Sequence, residues 1–140
     1  MKPAVADRIH AAAMALTALG TIAFWIVFYT SGENHVREDE VYFAFEHSFV
    51  LADSWMALFF LLAAWNLVRA RPIATLFGIC AGAMMLFLGS MDLLFNLQQH
   101  TFAVMSEAMI AECVIVAYSW VFGPVTVWRM WGHPLRREGE

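Results

Sequence analysis

Apolar residues dominate four long stretches of the chain, and short polar segments separate them. A helix needs about 20 mostly apolar residues to cross the hydrocarbon core of a bilayer, and each stretch reaches that length. The pattern therefore predicts four membrane-spanning helices. They cover residues 9–29, 41–68, 73–97 and 101–128.

The connections between these stretches are short and contain turn residues. Pro72 stands just before the third stretch, where its fixed φ suits the first turn of a helix, and Thr101 is suited to cap the fourth helix. Because short connections join antiparallel neighbours, the sequence predicts an all-α integral membrane protein folded as an up-down bundle of four transmembrane helices. Residues 1–131 form this single domain, and residues 132–140 form a short tail.

The basic residues are distributed unevenly between the two ends of the predicted bundle. Only Arg37 falls at one end. The other end carries Lys2, Arg8, Arg69, Arg71, Arg129, Arg136 and Arg137. Lys and Arg are enriched on the cytoplasmic side of membrane proteins. The sequence therefore predicts a multi-pass protein of the cell membrane with both termini in the cytoplasm.

The composition supports this class and excludes others. Of the 140 residues, 61% are hydrophobic and 14% charged, whereas soluble domains carry about 25% charged residues. The mean hydropathy is +0.64. A net charge of −4 with eight Lys and Arg argues against a nucleic-acid partner, and two cysteines are too few for a disulfide scaffold. The lipid bilayer is the predicted partner.

Carboxyl groups inside the spans are the strongest functional signal. Counted from the arginine at the basic end of each helix, Asp53, Asp92 and Glu112 are 16, 21 and 17 residues away. These distances correspond to roughly 24, 32 and 26 Å along a helix, in a hydrocarbon core of about 30 Å. Acidic residues at such depth are costly and usually functional. The sequence thus predicts an acidic layer in the outer third of the bundle.

Helical phase indicates which other polar residues join that layer. Glu46 shares a face with Asp53 two turns away, and Asn96 follows Asp92 by one turn, while His47 lies at the same height. Without a basic neighbour, such carboxyl groups require protonation, a bound cation or water. The predicted ligand-binding or proton-carrying residues are Asp53, Asp92, Glu112, Glu46, Asn96 and His47.

Small residues predict where the helices approach each other. In the third span Gly78, Gly82 and Gly89 recur on one face, which predicts a close helix–helix contact. In the first span Thr17, Gly20 and Thr21 are likewise expected to allow close packing. Oligomerisation, or assembly into a larger membrane complex, is left open by the sequence.

Three functions are compatible with these features. The first is a module that binds or transports a cation or small amine in the acidic layer. The second is an intramembrane enzyme that uses paired carboxyl groups for acid–base chemistry on a lipid or isoprenoid. The third is an accessory or structural subunit of a membrane complex. The sequence favours the first function and leans against catalysis.

No cofactor is predicted. The chain has no nucleotide-binding or nucleophile motif. A haem would need paired histidines at a shared depth in the bundle, and both His47 and His100 fall close to the outer surface. The metal, if the cation is a metal, is not identified by the sequence.

Overall fold

The structure, a computed structural model, describes residues 4–132. Four helices account for most of this range. They are α1 (Val5–Thr30), α2 (Glu40–Val68), α3 (Ala74–Gln98) and α4 (Glu107–Trp131), with a short 3₁₀ turn at Thr101–Ala103 before α4. The described range does not include Lys2 or residues 133–140, and the latter contain Arg136, Arg137 and most of the predicted tail.

Each of the four helices is long and apolar enough to cross a membrane. The outward surface is apolar as well: Leu51, Phe87 and Val114 have exposed fractions of 69%, 63% and 64%. A water-soluble bundle of this size would place polar side chains at such positions. Residues 4–132 are therefore all-α in architecture and have the character of a multi-pass membrane protein, as the hydropathy pattern predicts.

The start of α4 differs from the prediction. Thr101 does not cap this helix, because its hydroxyl group donates to the backbone carbonyl and to the side-chain Oδ1 of Asn96. The helix begins six residues later, where the Ser106 hydroxyl accepts a hydrogen bond from the Met109 N–H. Residues 102–105 are apolar but not α-helical, so hydropathy alone could not locate this boundary. Similarly, Pro72 lies in the turn before α3 and not inside the helix.

The loop before α2 is ordered by charged side chains. Asp39 caps α2, and the hydrogen bond from the Tyr42 backbone N–H holds the pKa of Asp39 below its ordinary value. Arg37 pairs with Asp39 and donates to the backbone carbonyl of Gln99. The first and third connections thus meet at the end opposite to Arg8, Arg69, Arg71 and Arg129. We call the end that carries those four arginines the basic end.

The helices pack in chain order, and the bundle is not closed into a ring. α1 packs along α2, α2 along α3 and α3 along α4, whereas α1 and α4 meet at only a few points. The most deeply buried large side chains include Met14, Phe60, Leu67 and Met130, which lie in the half nearer the basic end. The opposite half is less tightly filled, and the candidate site lies there.

α3 and α4 approach each other through small residues. A Cβ atom at Gly82 would lie 2.7 Å from the Gly123 carbonyl oxygen, and one at Gly123 would lie 2.8 Å from the Gly82 carbonyl oxygen. Gly78 faces Met130, and Gly89 faces Ser119, on the same side of α3. The backbones therefore cross at the Gly82–Gly123 pair, where no side chain separates them.

Orientation in the membrane can be tested by labelling. Glu33 and Gln99 are exposed at the end opposite to the basic end, and Arg71 is exposed at the basic end. In a background with Cys80→Ala and Cys113→Ala, we expect Glu33→Cys and Gln99→Cys to react with a membrane-impermeant maleimide on intact cells. Arg71→Cys should react only after permeabilisation. The reverse pattern would contradict the predicted cytoplasmic termini.

Candidate functional site

A cavity of about 390 Å³ lies between the helices in the half away from the basic end. All four helices contribute to its wall. Its polar groups are four carboxyl side chains, Glu46, Asp53, Asp92 and Glu112, with the hydroxyl groups of Thr17, Thr21, Tyr118 and Ser119. Apolar side chains and two glycines complete the wall. A cavity of this size and character is typical of sites for small organic molecules.

Asp53 of α2 is oriented by α1. The Trp25 Nε1–H donates to the Asp53 carboxylate at 2.9 Å, and Trp25 itself is only 9% exposed. An aromatic residue near the end of a span is typical of an interfacial anchor, but here the ring is turned inward onto a carboxylate. Asp53 also borders a second groove of about 420 Å³ on the outer side of α1 and α2. Asp53 and Trp25 therefore separate the central cavity from this groove.

Glu112 of α4 is oriented by α3. The Asn96 side-chain amide donates to the Glu112 carboxylate at 3.1 Å. The Thr101 hydroxyl in turn donates to the other side-chain atom of Asn96, its Oδ1, and Asn96 is only 4% exposed. A chain of hydrogen bonds thus runs from the connection before α4 to a carboxylate in the cavity wall. Asn96 acts on the site through Glu112 and is not itself one of the lining residues.

Asp92 is the least supported of the four carboxyl groups. Within residues 4–132, no protein group donates a hydrogen bond to it, while Glu46, Asp53 and Glu112 lie close enough to interact with it electrostatically. No Lys, Arg or His is among the residues that line the cavity. Arg37 precedes the helix that carries Glu46 and Asp53, but it pairs with Asp39 at the end of the bundle. The cavity therefore brings four acidic side chains together with no basic side chain among its lining residues.

His47 does not join the acidic cavity. Its ring stacks on Tyr29 with a centroid distance of 5.8 Å and lies beside Phe28 and Phe43 at the exposed edge of α2. One residue along a helix is a rotation of about 100°. A residue adjacent to Glu46 is consequently directed toward α1 and the outside, although the two residues share the same height.

A hydrogen bond between α1 and α4, which the sequence did not predict, also borders the cavity. The Thr17 hydroxyl lies 2.6 Å from the Tyr118 hydroxyl. Since Thr17 already donates to the Ala13 carbonyl, its oxygen accepts the hydrogen bond from Tyr118. The residue types alone gave no signal for this pair, because a threonine hydroxyl commonly bonds within its own helix and the sequence does not fix which side of α4 faces α1.

Gly20 does not lie at a close helix–helix contact, contrary to the prediction for α1. An added Cβ atom at Gly20 would meet no heavy atom within 4 Å, and Gly20 lines the cavity. The glycine therefore widens a space and does not bring two backbones together. Thr17 and Thr21, which were expected to act with it, line the same cavity.

The arrangement does not resemble a protein metal centre. Among residues 4–132, no group of three His, Cys, Asp or Glu side chains is placed to hold one metal ion. The four carboxyl groups surround a space larger than an ion needs.

The chain was compared with models of protein families, with curated proteins and with solved structures, and none of the three comparisons gives a match. The fold and the cavity therefore define the class on their own: four helices apolar enough to cross a membrane, with an acidic cavity lined by all four.

Proposed function

We propose that the protein is a module that binds or transports a small organic amine, and that the protonated amine occupies the acidic cavity. One observation carries this proposal: four carboxyl groups from three helices line a cavity of about 390 Å³ whose wall contains no basic residue. A protonated amine supplies the missing positive charge, and its N–H groups can donate to carboxylates. The apolar part of the wall supplies a place for the rest of the molecule.

The geometry favours an organic amine over a metal ion. Asp53 and Glu112 each already accept a hydrogen bond from a neighbouring helix, which orients each of them in the cavity wall. Asp92 accepts none from the part of the protein that the structure describes. An ammonium group beside Asp92 would complete its hydrogen bonding without moving the helices.

The test uses phenethylamine and 2-phenylethanol, two probes of nearly equal size that differ in charge. In detergent-solubilised protein at neutral pH, we expect phenethylamine to raise the unfolding temperature in a concentration-dependent manner, because a ligand that binds only the folded state stabilises it. 2-Phenylethanol should give little or no shift. Calorimetry should return a measurable affinity for the amine alone.

Other outcomes would overturn this proposal. Equal shifts with both probes would mean that the cavity selects for shape and not for charge. No shift with either probe, together with a stable partner retained during mild solubilisation, would favour the accessory-subunit function. A co-purified lipid that changes mass on incubation would favour an enzyme.

A further inference from the structure

The first and last helices, α1 and α4, are joined at some points along their length and separated by a gap at others. At the basic end the two helices are joined by the Arg129–Asp7 ion pair at 3.2 Å. At mid-height the Thr17–Tyr118 hydrogen bond joins them again. Beyond Thr17, no hydrogen bond, ion pair or ring contact connects α1 to α4 within the described residues. The two helices thus separate over the half that contains the carboxyl groups.

The sides of this gap are apolar and outward-facing. Leu16, Ile115 and Tyr118 line the cavity and at the same time have exposed fractions of 69%, 38% and 42%. On helices that cross a membrane, such side chains face hydrocarbon. Gly20 lies in the same wall with open space in front of its Cα atom. We call this gap, bordered by Leu16, Gly20, Ile115 and Tyr118, the lateral slot.

We propose that the lateral slot admits the ligand from the hydrocarbon of the bilayer, and that the ligand is a single-chain alkylamine whose tail occupies the slot. This inference rests on the amine-binding function proposed above. The ammonium group lies among the carboxyl groups, and the alkyl chain passes Gly20 into the lipid. Gly20 determines specificity, because any larger side chain at that position occupies the space that the tail requires.

The charges of the cavity limit the head group. A phospholipid that carries an amine would bring its phosphate into a wall with four carboxyl groups and no basic residue. Like charges at close range in a region of low dielectric repel strongly. A long-chain amine without phosphate satisfies both the acidic cavity and the apolar slot.

The test compares a long and a short amine on matched variants. Radiolabelled phenethylamine bound to the purified protein is displaced with decylamine, using the parent protein, Gly20→Leu and Ala117→Leu. Ala117 is exposed on α4 and lines neither cavity, so Ala117→Leu adds a leucine side chain away from the slot. For Gly20→Leu we expect the decylamine concentration for half-displacement to rise by about tenfold or more, the loss expected when two methylene groups lose their buried place. In Ala117→Leu both affinities should stay within about threefold of the parent's, because the added side chain lies away from the slot. In Gly20→Leu phenethylamine should lose clearly less affinity than decylamine, since its short body reaches less of the slot.

The outcomes separate the two proposals. If phenethylamine does not bind the parent protein, the amine-binding function itself fails. If phenethylamine binds and Gly20→Leu leaves decylamine displacement unchanged, the lateral slot is not the route of the tail. Equal loss of both amines in Gly20→Leu also contradicts the slot, because the leucine would then fill the cavity. Unfolding temperatures check that each variant is folded, and the Cβ atom of a residue at position 20 meets nothing within 4 Å.

Discussion

Asp92→Asn is expected to unfold at the same temperature as the parent protein or at a higher one, while its affinity for phenethylamine falls by about tenfold or more. The two effects separate because Asp92 accepts no hydrogen bond from the described part of the protein. The amide keeps the shape of the side chain and removes one of the four acidic groups that line the cavity. Calorimetry measures the affinity, and thermal unfolding in detergent measures the stability.

Glu112→Gln extends the same test to a carboxyl group that has a partner. A glutamine carbonyl oxygen can still accept the hydrogen bond from Asn96, so we expect similar loss of phenethylamine affinity with little change in stability. Asp7→Asn is the control at the basic end. It weakens the ion pair with Arg129 and should lower the unfolding temperature without changing phenethylamine affinity. Unchanged affinity in both Asp92→Asn and Glu112→Gln would contradict the site.

Gly82→Ala and Gly20→Ala are expected to change stability in opposite directions, although both add one methyl group to a helix. At Gly82 the methyl group would lie 2.7 Å from a backbone oxygen and 3.0 Å from Val127, and forcing atoms into a packed contact costs about 1–3 kcal/mol. At Gly20 the methyl group meets open space, and replacing glycine by alanine in a helix stabilises it by about 0.5–1 kcal/mol.

The measurement is reversible unfolding of both variants under the same detergent conditions. Gly82→Ala should unfold at a lower temperature than the parent, and Gly82→Leu at a still lower one. Equal behaviour of Gly82→Ala and Gly20→Ala would mean that the α3–α4 crossing is looser than the Gly82–Gly123 distances require.

The number and approximate extent of the helices could be predicted because membrane thickness and hydropathy determine both. The start of α4 could not, since residues 102–105 are apolar whether or not they are helical. The Thr101 hydroxyl bonds to Asn96, and the Ser106 hydroxyl caps α4 instead. Such a choice between two local partners has no signature in hydropathy.

The height of the carboxyl groups could be predicted from helical rise, but their neighbours could not. Counting residues from three arginines places Asp53, Asp92 and Glu112 in one layer, and the structure lines one cavity with all three. The rotation of each helix about its axis decides the partners, so Trp25 and Tyr118 could not be assigned from sequence. Gly20 illustrates the same limit: a missing side chain does not reveal whether the space is filled by another backbone or left empty.

The order of helix packing has a consequence for how the molecule can move. A ring of four helices would have to break a whole interface to widen, but this bundle has only three extensive interfaces and two free edges. The α1–α2 and α3–α4 hairpins can therefore rotate relative to each other, with the α2–α3 interface as the hinge. At mid-height α1 and α4 are joined by the Thr17–Tyr118 hydrogen bond, whose net strength is about 1 kcal/mol. Nearer the basic end they are joined by the His10–Phe122 ring contact and the Arg129–Asp7 ion pair. Opening by this hinge would leave every extensive helix interface intact.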